Sequence, residues 1–138
     1  LPLFKIFFER KLMKSYINRE ENQYLNALPI YKHIRFQILN GWIDFVYDKG
    51  KEIMECCDNE GLKPYPIITQ VKRKNGTLEI LMNTKNIEVN ELVYKIKEES
   101  KMYCEICGEK GALQYNVPMK GIFSLCQKHT IKGFEVVT

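Results

Sequence analysis

The sequence predicts an α+β fold, with helices packed on a β-hairpin and a C-terminal zinc-ribbon-like module. Three observations carry that prediction. Apolar residues recur at helical spacing in three separate stretches. An Asn-Gly pair sits between two alternating runs. Three cysteines and a histidine form two close pairs near the C-terminus.

Taken in chain order, residues 3–25 read as the first helix. Phe4, Phe7, Phe8, Leu12 and Tyr16 recur at steps of three and four, and Met13 and Ile17 widen the stripe. The polar run at 18–22 continues or ends this helix, and Pro29 marks a break. Residues 30–40 are ambiguous, because IRFQIL alternates like a strand but is short enough for a linker. Gly41 opens the second helix, in which Trp42, Val46, Ile53 and Cys57 share one face. A C-cap is expected near 59–61. Next comes PIITQVKRKNGTLEILMN, where Asn75 and Gly76 can take the positive φ angles of a two-residue type I′ turn. Alternating residues on both arms make this stretch a hairpin. Asn86 or Asn90 caps the third helix, with Val89, Leu92, Val93, Ile96 and Tyr103 on one face. It runs straight into Cys104. The expected organisation is therefore a helical and hairpin core over 1–103, followed by a ribbon-like module over 104–138 packed on the preceding helix.

Composition bounds the function. The chain has 138 residues, 45% hydrophobic and 28% charged, which suits one soluble core with a small metal-stapled appendage. The formal charge of +4 permits nucleic-acid binding without arguing for it, because 17 acidic residues are interspersed among 21 basic ones. The apolar N-terminal stretch is interrupted by Lys5, Glu9, Arg10 and Lys11, well short of a membrane span, and it carries no small-residue cleavage site. A cytoplasmic protein with no membrane association is the expectation. Five cysteines without a signal segment fit metal binding better than disulfides.

The motif Cys104-x-x-Cys107 and Cys126-x-x-His129 offers three thiolates and one imidazole, with an 18-residue spacer between the pairs. Two-residue spacing lets a tight turn place both members of a pair on one tetrahedral edge, and this donor set suits a single Zn2+. Gly108 follows Cys107, where a left-handed turn would aim backbone N–H groups at sulfur. Two short apolar runs around Pro118–Gly121 read as a small hairpin between the pairs. Four good ligands close the coordination shell, so the expected zinc is structural. No H-x-E, H-E-x-x-H, nucleophile elbow or phosphate-binding glycine loop occurs, and His33 is far from the cluster in sequence. The sequence is expected to be non-catalytic.

Candidate contact residues are basic. Lys72, Arg73 and Lys74 flank the Asn75-Gly76 turn, and Lys110, Lys120, Lys128 and Lys132 decorate the ribbon. They would track a phosphate backbone if hairpin and ribbon faced the same way. Solvation of a hairpin tip and ribbon loops is the plainer reading, since no exposed aromatics interleave with them. Trp42 belongs on an apolar helix face and reads as core. Phe4, Phe7 and Phe8 make the N-terminal apolar helix a candidate interface, with core packing as the alternative.

Four stretches together resemble an uncharacterised family of small bacterial and phage proteins. The pattern is a Gly-Trp-led helix, a Q-V-K-x-K-x-G-x-L hairpin, and C-E-x-C-G-x-x-G-x-L followed by G-x-x-x-L-C-x-x-H. Here these are GWIDFVYDKGKEIMECC, QVKRKNGTLEI, and EESKMYCEICGEKGALQ with GIFSLCQKH, spanning residues 41–129. The resemblance supports Cys104, Cys107, Cys126 and His129 as metal ligands and implies a phage or mobile-element setting. It supplies no activity. The functional expectation is a zinc-binding accessory protein that acts on a host protein or complex, for instance as an inhibitor of host defence. A zinc-ribbon nucleic-acid-binding regulator is the alternative.

Overall fold

The structure is a computed structural model that describes residues 15–116, 121–130 and 134–136. Its described residues form three α-helices and two three-stranded sheets. Residues 3–14 of the expected first helix, including Phe4, Phe7, Phe8 and Leu12, lie outside the described residues, as do Pro118, Lys120 and Lys132.

The described part of the 3–25 stretch is not one continuous helix. Tyr16 bridges Leu39 in antiparallel fashion, and helix α1 starts only at Arg19 and runs to Asn26. The cause is a capping box. The Asn18 side chain accepts from the Glu21 N–H at 2.9 Å, and the Glu21 carboxylate accepts from the Asn18 N–H at 2.9 Å. The polar run that looked like a helix end is a helix start.

Two asparagines on α1 then shape the ambiguous 30–40 segment. The amides of Asn22 and Asn26 both donate to the Ile34 carbonyl, and Asn22 Oδ1 accepts from the Phe36 N–H at 2.8 Å. Strand β1, Phe36–Gln37, emerges from this cradle and pairs in parallel with β2. The segment is therefore both linker and strand.

Helix α2, Ile43–Asn59, buries Val46, Gly50, Ile53 and Cys57 along one face. At Gly50 the ring of Tyr31 lies against the backbone, and the Tyr31 hydroxyl donates to the Val46 carbonyl at 2.7 Å. Burial raises the pKa of that phenol. The helix closes with the Gly61 N–H donating to Asp58 O at 3.1 Å and the Leu62 N–H to Cys57 O at 2.9 Å, a Schellman pair.

Strands β2, Ile68–Lys74, and β3, Thr77–Met82, form the expected hairpin. Asn75 and Gly76 adopt φ of 53° and 77°, both positive as a type I′ turn requires. Helix α3, Ile87–Ser100, is capped by Asn86, whose side chain accepts from the Val89 N–H. The helix ends before Tyr103, which bridges Lys110 instead of extending the helical face. At its C-terminal end, Ser100 Oγ accepts the Leu78 N–H at 2.8 Å, so α3 is fastened to the β3 edge.

One core gathers α1, α2, α3 and the first sheet around Leu25, Tyr31, Trp42, Ile53, Val71, Leu78 and Ile96. Each such fully buried side chain contributes about 1.5–3 kcal/mol. The second sheet holds β4, Ala112–Asn116, β5, Gly121–Leu125, and β6, Phe134–Val136, in the order β5-β4-β6. The β4–β5 hairpin matches the sequence expectation, and β6 is an addition to it. A small separate cluster of Cys104, Phe123, Leu125 and Cys126 forms the core of this sheet. Among the described residues, no helix is long and apolar enough to cross a membrane.

Candidate metal centre

Two turns bring the four predicted ligands together. In the first, the Gly108 N–H donates to Cys104 O at 2.8 Å, the Cys104 N–H donates to Glu109 O at 2.7 Å, and the Ile106 N–H points at Cys104 Sγ at 3.4 Å. Gly108 takes φ of 81°, the left-handed conformation anticipated after the second cysteine. In the second, a 3-10 turn over Gln127–His129 puts Cys126 and His129 on the same side. Thr130 Oγ1 donates to Cys126 O and accepts from Gln114 Nε2, so β4 holds this turn in place.

The donor atoms of Cys104, Cys107, Cys126 and His129 all lie within 4.8 Å of one another. Cys107 Sγ is 3.6 Å from Cys126 Sγ. His129 Nδ1 is 3.2 Å from Cys126 Sγ and 3.6 Å from Cys104 Sγ. Zinc bonds of about 2.3 Å to sulfur and about 2.0 Å to nitrogen give tetrahedral edges of about 3.8 Å and about 3.5 Å. The four donors therefore fit a tetrahedrally bound ion, with Nδ1 as the imidazole donor. Cys104 and Cys126 are buried, His129 is half-buried and Cys107 is exposed.

The thiols feel opposing forces. Burial pushes the Cys104 thiol up to about 11, against N–H groups of Cys126, Cys107 and Ile106 that pull it down. Burial also raises Cys126, but the N–H groups of His129 and Lys128 and the neighbouring Cys107 and Cys104 sulfurs outweigh it, leaving that thiol below its usual value. A cation at the centre would favour the thiolate at each.

The first turn sits in a socket made by Gly41 and Trp42. The Gly41 N–H donates to Glu105 O at 2.8 Å, and Trp42 Nε1 donates to Tyr103 O at 2.9 Å. A Cβ on Gly41 would collide with the Cys104 carbonyl oxygen and would lie 2.6 Å from Cys107 N. One on Gly108 would lie 2.7 Å from Gly41 O. The Gly-Trp pair, which the sequence suggests only as a helix start, is thus the seat of the metal turn.

Glu105, between the first two ligands, is wholly buried. Arg73 donates to it from Nε and, at 3.3 Å, from Nη2, and the Ser124 N–H donates to Oε2 at 2.9 Å. Burial pushes the Glu105 carboxyl up, opposed by Arg73 and the Ser124 N–H. Arg73 also donates to Ile122 O at 2.7 Å and lies 4.3 Å from the Phe123 ring centre. This corrects the expectation for Arg73. Its guanidinium is committed to an internal ion pair because the hairpin turn packs on the ribbon, where Ser124 Oγ donates to Gly76 O at 2.6 Å.

Of the other candidate contact residues, Lys74, Lys110 and Lys128 are exposed and Lys72 is half-buried. Lys128 Nζ lies 3.9 Å from Glu109 across the two turns. Trp42 is buried as expected. His33 is exposed, with φ of 67°. Sequence reasoning missed Glu105 and Ser124. A glutamate between two cysteines reads as solvated, and nothing local signals that an arginine 32 residues earlier will cover it.

Comparison of the chain with family models, curated proteins and solved structures found no match.

Proposed function

We propose that Cys104, Cys107, Cys126 and His129 bind one structural Zn2+, and that the protein is a non-catalytic accessory factor acting through a protein partner. The observation that carries the metal reading is the closed set of four soft and borderline donors at tetrahedral spacing. Four protein ligands leave no coordination position for water or substrate. The first turn is fastened by backbone hydrogen bonds to Gly41, just ahead of α2, and to Ser124 in β5, and the Gln114 side chain holds the second through Thr130, which suits a staple. The test is metal content by mass spectrometry. The wild type should carry one zinc per chain, and Cys107→Ser and Cys126→Ser should each lose it together with protease resistance after residue 103. Full zinc in either variant would sink the ligand assignment.

The partner reading draws on α3. Ile87 is 69% exposed and Tyr94 63%, and they flank an open apolar groove of about 540 Å³ with Asn90, Glu91 and Lys95. Large apolar side chains gathered on one strip suit a protein contact. With the phage or mobile-element setting that the resemblance implies, a host complex is the partner class we favour. A photocrosslinking residue at Tyr94 should capture one discrete host protein, and Ile87→Glu should abolish that product. A product unaffected by Ile87→Glu would remove the groove from the reading.

A further inference from the structure

The outer face of the first sheet, opposite the core, carries cations that the fold does not use. Phe36, Val71 and Ile80 turn inward. Strand alternation therefore places Arg35, Gln37, Gln70, Lys72 and Lys74 on the other face, with only Lys72 half-buried. The register sets Gln37 beside Lys72. Next to this face, Arg19 and Arg35 line one cleft of about 440 Å³ together with Asn22 and Asn26. None of the ion pairs among the described residues uses Arg19, Arg35, Lys72 or Lys74.

The acidic neighbours are few. Glu79 lies opposite Lys72 in the β2–β3 register, Glu20 follows Arg19, and the carboxylate of Glu21 is engaged by the Asn18 N–H. Exposed Lys32 lies three residues before Arg35 in the chain. The acidic residues Asp44, Asp48, Glu52 and Glu55 follow one another at steps of four, four and three on α2, all exposed. Two of these are paired on the same helix, Glu52 with Lys49 and Asp48 with Lys51.

We infer that this sheet face binds the phosphodiester backbone of a nucleic acid, with Arg19, Arg35, Lys72 and Lys74 as its contacts. Lys72 and Lys74 are two strand residues apart, about 6.6 Å, and neighbouring strands lie about 4.8 Å apart. Lys72 and Lys74 therefore form a row along β2, while Arg35 just before β1 and Arg19 on α1 line the neighbouring cleft, a spread suited to an extended chain of phosphates. The side chains beside them, Gln37 and Gln70 with Glu79 and Leu81 on β3, carry no aromatic stacking surface, so binding is to the backbone and independent of sequence. This surface shares no residue with the metal centre or the α3 groove, so one small protein could contact nucleic acid and a protein through separate residues.

The experiment is fluorescence anisotropy of zinc-loaded protein with labelled mixed-sequence duplex DNA and single-stranded RNA, at low and near-physiological salt. Binding of at least one polymer is expected. The double variant R19A/R35A should weaken it about tenfold or more and reduce the slope of log K against log salt by about two. R19K/R35K should retain most of the affinity, and the charge-matched control K51A/K85A should bind like the wild type. Both arginines are exposed, so an unchanged melting temperature will certify folding. The inference fails if neither polymer binds at low salt, if R19A/R35A binds like the wild type, if the control loses as much, or if inorganic phosphate binds as tightly as the polymers.

Discussion

At Gly41 the absence of a side chain has a direct structural cause. The atoms that a Cβ would meet are backbone atoms of Cys104, Glu105 and Cys107, which cannot swing aside as a flexible side chain could. Relief would require moving the whole first metal turn off the N-terminal end of α2. Gly41→Ala should therefore destabilise the protein by about 2 kcal/mol, within the usual range for overpacking. It should also weaken zinc retention, although residue 41 is not a ligand. Thermal melting together with zinc competition by a colorimetric chelator checks both effects. A variant with wild-type melting and wild-type zinc affinity would mean that the turn is not seated on Gly41. Trp42, the next residue, reinforces the same seat from its indole N–H.

Among the elements, the β2–β3 hairpin has the role that differs most from its sequence reading. Its turn is a junction with the ribbon, and Arg73 and Glu105 are the charged pair inside that junction, 14% and 0% exposed at their side chains. Removing one partner of a buried pair leaves the other uncompensated, so Arg73→Ala should cost about 3 kcal/mol. Arg73→Met combined with Glu105→Met should cost less than the sum of the two single changes, with a coupling above about 1 kcal/mol. Additive costs in denaturant unfolding would show that the pair does not act as a unit. The helices α2 and α3, the Asn-Gly hairpin and the four metal donors were legible in the sequence, because each depends on periodicity or spacing within a few residues. What joins them was not. Asn22 holding β1 and Arg73 reaching Glu105 depend on tertiary placement, whereas the Asn18–Glu21 capping box is a local signal masked by the apolar stripe that runs across it. The strand β6 was hidden for a different reason, since a three-residue strand has too few positions to show alternation.

At the scale of the molecule, the described residues form two apolar clusters of unequal size that meet through a few polar contacts, with the candidate metal site inside the smaller one. The larger cluster draws on all three helices and the first sheet, whereas the smaller has Cys104, Phe123, Leu125 and Cys126 as its buried members. Two of those four residues, Cys104 and Cys126, belong to the candidate metal site, so with zinc bound there as proposed the ribbon core would depend on its staple. The larger core has no such dependence. Removing zinc with a strong chelator should split unfolding into two steps, with the ribbon lost first and the helical core persisting. The single tryptophan offers a built-in readout. Trp42 is fully buried, and its indole N–H is bonded to the carbonyl of Tyr103, the residue before the first ligand. Chelation should red-shift its emission and remove hydrogen-exchange protection from residues 104–130, while Val46, Ile53 and Ile96 stay protected. Restoring zinc should reverse both changes. Loss of protection throughout the chain on chelation would instead mean that metal and main core fold as one cooperative unit, with the Arg73–Glu105 junction transmitting the collapse.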